Sequence, residues 1–290
     1  MRLGDERESD NIEDRRGAGG FGVSPGIAGG GLGAIAIVVI GLFLGVDPSV
    51  LLQLIAGNEP PSPSQSYAPP RQAPRGDDDL KHFVSVILAE TEDTWQTVFQ
   101  GLGRSYQDPK LVLFTGATQS ACGFAQAAVG PFYCPGDRRV YLDLSFFRDL
   151  KTRFHAPGDF AEAYVVAHEV GHHVQNLLGI MERVDAARAH SSAAESNALS
   201  VRLELQADCF AGVWANQANG ARHILEPGDI EQGLNAASAV GDDRLQMQAR
   251  GYVVPESFTH GSSAQRVRWF KRGLDSGDLR QCDTFKARQL

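Results

Sequence analysis

The sequence predicts an α+β domain, mainly helical with a small β-sheet, preceded by one transmembrane helix. Three observations carry this. Residues 17–46 contain no charged side chain, and their most apolar part, residues 27–46, has the length of a bilayer core. Two short β-rich runs, residues 111–114 and 139–144, come before a long series of segments with helical periodicity, and strands gathered ahead of helices are the α+β pattern. A long helical segment after these runs carries His168-Glu169-Val170-Gly171-His172, a spacing that makes chemical sense only on a helix.

The chain has 290 residues, enough for one substantial core or one domain with accessories. Hydrophobic residues at 42% and charged residues at 21% are ordinary for a globular protein. The net charge of −8, with no Lys/Arg cluster, argues against a nucleic-acid partner. The four cysteines, at 122, 134, 209 and 282, form no C-x-x-C pair, which argues against a cysteine zinc site.

Residues 1–26 are charged and then glycine-rich, and read as a disordered cytoplasmic tail. Residues 27–46 would span about 30 Å as a helix. Their six glycines are tolerated in membrane spans. A mostly acidic n-region and no A-x-A site argue against cleavage. Arg2, Arg7, Arg15 and Arg16 precede the stretch, and the next basic residue is Arg71. The charge rule then places the N-terminus in the cytoplasm and the remainder outside. Residues 47–78, with prolines at 60, 61, 63, 69, 70 and 74, read as an extended linker, so the folded domain is expected over 79–290.

Within that domain Phe83, Ile87, Thr91, Trp95 and Phe99 share a helical stripe that Gly101 and Gly103 end. A strand at 111–114, a turn-rich stretch at 123–136, a strand at 139–144 and a helix capped by Ser145 follow. Asp159 and Glu162 have capping-box spacing, so the motif helix is expected to begin near Phe160, with Gly179 as its stop. Further helical patterns cover 197–216, 229–248 and 264–273, before a loop containing Cys282.

His168 and His172, four apart, stand on one face of their helix, where both imidazoles can reach one zinc ion. Glu169 lies where it can act as general base on the water that zinc activates. A catalytic zinc needs a third protein ligand. Glu204 is the best candidate, and Asp208, one turn on, could accept the second ring N–H of a ligating histidine. Gly171, without a Cβ, would let another element approach closely. His173 points about 100° away from His172 and reads as structural or as a support behind the ligands rather than as a ligand.

These residues resemble the bacterial neutral zinc metallopeptidase family and, more distantly, the gluzincins. The resemblance rests on Ser120-Ala121-Cys122-Gly123, Gly130-Pro131-Phe132-Tyr133-Cys134-Pro135, Gly158-Asp159-Phe160-Ala161, residues 168–175, residues 204–210 and Ser257-Phe258-Thr259-His260-Gly261. It implies a zincin-like peptidase with one Zn2+ per chain, His168, His172 and Glu204 as ligands, Glu169 as base, and an N-terminal anchor in the bacterial cytoplasmic membrane. His260 and Arg266 are similar in spacing to a pair that, in membrane-associated gluzincins, approaches the active site. Gly261 stands where a proline commonly follows the histidine. His260 would then either stabilise the oxyanion or hold the enzyme inactive, with a capping or packing role as the alternative.

Of the three possible cysteine pairings, Cys122 with Cys134 and Cys209 with Cys282 is favoured, with buried free thiols as the alternative. The expected partners are a peptide or unfolded protein substrate and membrane lipid through the one span. The substrate would pair with an exposed strand edge, for which residues 140–144 are the candidate. The competing readings are a membrane-anchored zinc scaffold or quality-control protein without hydrolytic activity, and a hydrolase of non-peptide bonds.

Overall fold

The computed structural model describes residues 1–3, 6–17 and 75–290. The predicted span at 27–46 and the linker up to residue 74 lie outside the described residues. Among the described residues no helix is long and apolar enough to cross a membrane.

A mainly helical domain with a small sheet is present, as the periodicity predicts. In chain order its elements are β1 (Ile12–Asp14), α1 (Arg75–Gly101), β2 (Lys110–Phe114), β3 (Ala117–Ser120), β4 (Gly123–Gln126), β5 (Phe132–Cys134), β6 (Arg139–Asp143), α2 (Ser145–Thr152), α3 (Asp159–Leu177), α4 (Ile180–Arg188), α5 (Ala193–Arg222), α6 (Asp229–Ala239), α7 (Asp242–Arg250) and α8 (Ser263–Ser276). The sheet runs β1-β2-β6-β5, with β1, β2 and β6 parallel and β5 antiparallel to β6. Leu111, Val112, Leu113 and Phe114 are all buried, because a central parallel strand is covered on both faces. β3 and β4 form a separate hairpin.

The strand at 139–144, expected to offer an exposed edge, is instead central. Val140 pairs with Leu111 on one side and Tyr133 on the other. Among the described residues the strand next to it, β5, has the open edge.

The N-terminal reading also needs correction. Residues 6–17 are folded, and β1 pairs with β2 from Ile12↔Leu111 to Asp14↔Leu113. Met1–Arg16 and Ala73–Leu290 form one unit, so the domain does not begin at 79. Residues 75–78, expected as linker, are the first turn of α1. Charge density favours disorder only where the charges lack partners. Here Arg7 donates to Glu92 and Asp93, each at 2.9 Å, and Arg16 pairs with Asp14 at 2.7 Å.

The helices pack around α3. Phe160 stacks on Trp214 with centroids 6.1 Å apart, and Trp95 meets Phe210 edge-on at 5.7 Å. α5 and α8 approach so closely that a Cβ on Gly273 would lie 1.9 Å from the Cys209 carbonyl oxygen, and one on Gly212 2.1 Å from that of Phe270. Only glycine permits that crossing. Cys209 is joined to Cys282 at the same place, and Cys122 to Cys134 beside the β3–β4 hairpin, the favoured pairing.

The pattern at 229–248 is two helices rather than one. The break falls at Gly241, where a Cβ would lie 2.4 Å from the Ser263 nitrogen, so tertiary packing overrides the local periodicity. The motif helix begins at Asp159 without a capping box. Gln232 of α6 caps it instead, accepting from the Phe160 N–H at 3.1 Å. Likewise Ser145 is not a cap. Its N–H donates to Asp143 at 2.9 Å. Gly179, with φ of 67°, follows the end of the motif helix as expected.

Candidate metal centre

His168 and His172 stand one turn apart on α3 with ring centroids 4.9 Å apart. The facing helix is α5, which starts at a capping box formed by Ser192 and Glu195 and runs unbroken for 30 residues. Where the two helices cross, a Cβ on Gly171 would lie 3.0 Å from the Ala207 carbonyl oxygen. That crossing carries Glu204 to the histidines. Its Oε2 is 3.2 Å from His168 Nε2 and its Oε1 3.5 Å from His172 Nε2.

These three residues fit a zinc ion. Their ligand atoms all lie within 4.8 Å of one another. Tetrahedral zinc at about 2.1 Å from each ligand needs donors about 3.4 Å apart. The tautomers fit as well, because both Nδ1 atoms are engaged elsewhere and both Nε2 atoms face Glu204. His168 Nδ1–H donates to Asp208 Oδ1 at 2.9 Å, and His172 Nδ1–H to Gln175 Oε1 at 2.8 Å.

Each of these acceptors is itself held. Asp208 is fully buried and takes a two-pronged contact from Arg266, Nε to Oδ2 and Nη2 to Oδ1, both at 2.9 Å. Tyr164 donates to Asp208 as well. Burial would raise the Asp208 pKa, but Arg266 and His168 hold it down at about 2. Gln175 donates to the Leu203 carbonyl at 2.7 Å and to Gln206 at 3.1 Å, and Gln206 donates to the Cys282 carbonyl at 2.9 Å. The His172 side of the site is therefore continuous with the Cys209–Cys282 staple.

Burial disfavours a charge on His168, yet Asp208 and Glu204 outweigh it and hold its pKa up at about 9. A cation on Nε2 must displace that proton. Glu204 is pushed well below the usual carboxylate range, since the histidines overcome the cost of its burial. Glu169 is raised, mainly by burial, and its carboxyl makes no hydrogen bond among the described residues. A carboxyl raised toward neutrality can both accept and return a proton.

The structure thus gathers His168, His172, Glu204, Asp208 and Arg266 into one cluster, with Glu169 next to the first ligand. His173 is turned away. It bonds Tyr133 Oη at 3.0 Å and the Gln107 carbonyl at 2.6 Å, a structural role in keeping with its angle on the helix. His260 is not in hydrogen-bond contact with the cluster, but its charge reaches Glu204. Gln175 is a ligand-orienting residue that sequence reasoning missed. Its i+3 position relative to His172 is the signal that could have found it.

A family model described as "Putative neutral zinc metallopeptidase" matches residues 1–285. The chain is 52% identical to the uncharacterized protein YpfJ of Escherichia coli (strain K12) over 292 residues, covering 98% of this chain and 99% of that protein. It is 43% identical to the uncharacterized protein Rv2575 of Mycobacterium tuberculosis (strain H37Rv), covering 86% of each. No solved structure matches the chain.

Proposed function

The chain belongs to the "Putative neutral zinc metallopeptidase" family, and from that membership we propose that it hydrolyses peptide bonds at the His168, His172, Glu204 centre with Glu169 as general base. One zinc ion per chain would supply Lewis acidity toward the scissile carbonyl and toward water. Glu169 takes the proton of the attacking water and delivers it to the leaving amine. Asp208 and Gln175 keep each histidine in the tautomer that presents Nε2, and Arg266 keeps Asp208 in place.

The observation that carries this reading is Glu169 itself. It is 8% exposed, without a hydrogen-bond partner among the described residues, and adjacent in sequence to the proposed ligand His168. A metal site that only braces a scaffold gains nothing from a buried carboxyl without a partner, which costs stability.

An extended substrate would pair with the open edge of β5, which lies against the motif helix through Tyr133 and Asn176, bonded at 2.9 Å. Backbone pairing of that kind tolerates many sequences, so an unfolded polypeptide is the substrate class. The test is cleavage of a reduced, alkylated protein by the zinc-loaded chain, with and without a chelator. Cleavage that the chelator abolishes and added zinc restores is expected. Failure of the zinc-loaded chain to cleave any polypeptide defeats the proposal.

A further inference from the structure

One half-exposed histidine near the metal centre sits in a loop held by a buried carboxylate. His260 lies in the connection between α7 and α8. Asp242, the first residue of α7, is 8% exposed and directs one oxygen at the backbone N–H groups of Thr259, His260 and Gly261, at 2.8, 2.6 and 3.0 Å. Its other oxygen lies 3.2 Å from His260 Nδ1, which the Thr259 hydroxyl also meets at 3.0 Å. The Asp242 N–H returns a bond to the Gly261 carbonyl at 2.9 Å. Asp243 continues the grip, accepting from the Ser263 N–H at 2.7 Å and its hydroxyl at 2.8 Å. α8 starts at Ser263 and carries Arg266 to Asp208, so one clamp sets the placement of both His260 and Arg266.

The backbone bonds alone would hold this loop. The ring contact adds something else, because it occupies Nδ1 and leaves Nε2 with no partner among the described residues. The Glu204 carboxylate feels the charge of this ring. Resting on the peptidase reading, we propose that Asp242 is a positioning residue that holds a proton on His260 Nδ1 and so favours the cationic ring, whose Nε2–H faces the carbonyl oxygen of a peptide bound at the metal centre. A negative charge behind Nδ1 supports the imidazolium, whose Nε2–H can donate to an oxyanion. Burial disfavours that cation, but Asp242 and Glu204 shift the ring toward it against the opposing charge of Arg266.

Asp242→Asn keeps the shape and removes the charge. Nitrogen-resolved NMR of the histidine rings, followed with pH, is expected to show the His260 cation persisting to higher pH in the wild type than in Asp242→Asn. For cleavage, His260→Ala should lower kcat by about 100-fold with KM and zinc content unchanged. Asp242→Asn should lower kcat in the wild-type background and have little effect in the His260→Ala background. A His260 ring indifferent to Asp242→Asn, or additive losses in the double variant, overturns the proposal. The NMR result stands even if no peptide is cleaved, so failure of the peptidase reading is distinguishable from failure of this one.

The N-terminal segment carries a second inference, independent of activity. Glu92 in α1 is 2% exposed, and the partners that satisfy it come from Arg7, Ser9 and Asn11, at 2.9, 2.5 and 2.9 Å. The Met1 amino group meets Asp229 at 3.3 Å, and β1 pairs with β2. Arg16 donates to the Asp77 carbonyl at 2.8 Å, so two residues 61 apart in sequence lie side by side. A strand cannot join a sheet across a bilayer, and a buried carboxylate cannot be left without its cation cheaply. We infer that Met1–Arg16 and the catalytic unit fold on the same side of any membrane. A single span at 27–46 with its two flanks in different compartments is incompatible with this fold.

All four cysteines are in disulfides, so single cysteines introduced by Asp10→Cys and Ala189→Cys, both at exposed positions, report location cleanly. The full-length variants are treated in intact cells and after permeabilisation with a maleimide that does not cross membranes. The two positions should react under the same condition. Reaction of one in intact cells and of the other only after permeabilisation overturns the inference.

Discussion

Replacing His173 by glutamine isolates one source of acid sensitivity in the fold. The ring is 1% exposed, between Tyr133 Oη at 3.0 Å and the Gln107 carbonyl at 2.6 Å. Burial, the largest cause, lowers its pKa from 6.5 to about 4. In the unfolded chain the ring takes up a proton as pH falls through 6.5, whereas the native ring does so only near 4. Between those values the unfolded state binds more protons, so stability falls as pH falls. Above 6.5 and below 4 this contribution is flat. At about 1.4 kcal/mol per pKa unit, the loss across the window is about 3 kcal/mol. Glutamine can still donate to Gln107 and accept from Tyr133, so it should cost about 1 kcal/mol at pH 7. Urea unfolding with the metal chelated, measured from pH 7.5 to 4, is the assay. Groups common to both proteins cancel in the difference, and the two stabilities should converge and then cross as pH falls. Parallel pH dependences for wild type and His173→Gln would refute the reasoning.

Three further outcomes are expected. Gln175→Ala removes the acceptor that orients His172, and zinc affinity should fall by about 10- to 100-fold in a chelator competition. An unchanged affinity means the Nδ1 contact is incidental. Gly273→Ala drives a Cβ into the Cys209 carbonyl and should destabilise the fold by about 3 kcal/mol, read as a lowered Tm. An equal Tm contradicts the close crossing of α5 and α8. Removing the Cys209–Cys282 bridge, which closes a loop of 73 residues, should cost about 4 kcal/mol, against about 3 for Cys122–Cys134, with a separation of 12. Calorimetry of the two double-alanine variants that gives the reverse order contradicts the entropic argument.

The parts of the site legible in the sequence are those encoded by helical spacing. His168 with His172 and Glu204 with Asp208 each recur at i+4, so the spacing alone puts each pair on a common helical face. What joins the pairs is not local. Gln232 caps the motif helix from 72 residues away, and Asp242 takes up His260 from 18. Neither has a spacing rule that marks it. The strand at 139–144 reads as an edge because its apolar run fits an edge or a central strand equally well. Only the pairing of β5 and β2 on either side decides that. The N-terminal charges read as disorder for the same reason. Glu92, Asp93 and Asp229, which meet them, lie about 85 to 230 residues further along the chain.

In the proposed hydrolytic centre Glu169 moves the proton, and His168, His172 and Glu204 hold the metal. Glu169→Gln tests it most directly, because the change spares the ligands and removes only the base. Metal content and cleavage of an unfolded polypeptide are measured on the same purified sample. One zinc per chain, the content expected of the wild type too, and a loss of cleavage of about 100-fold or more are the expected results. Wild-type cleavage with zinc in place would contradict the proposal.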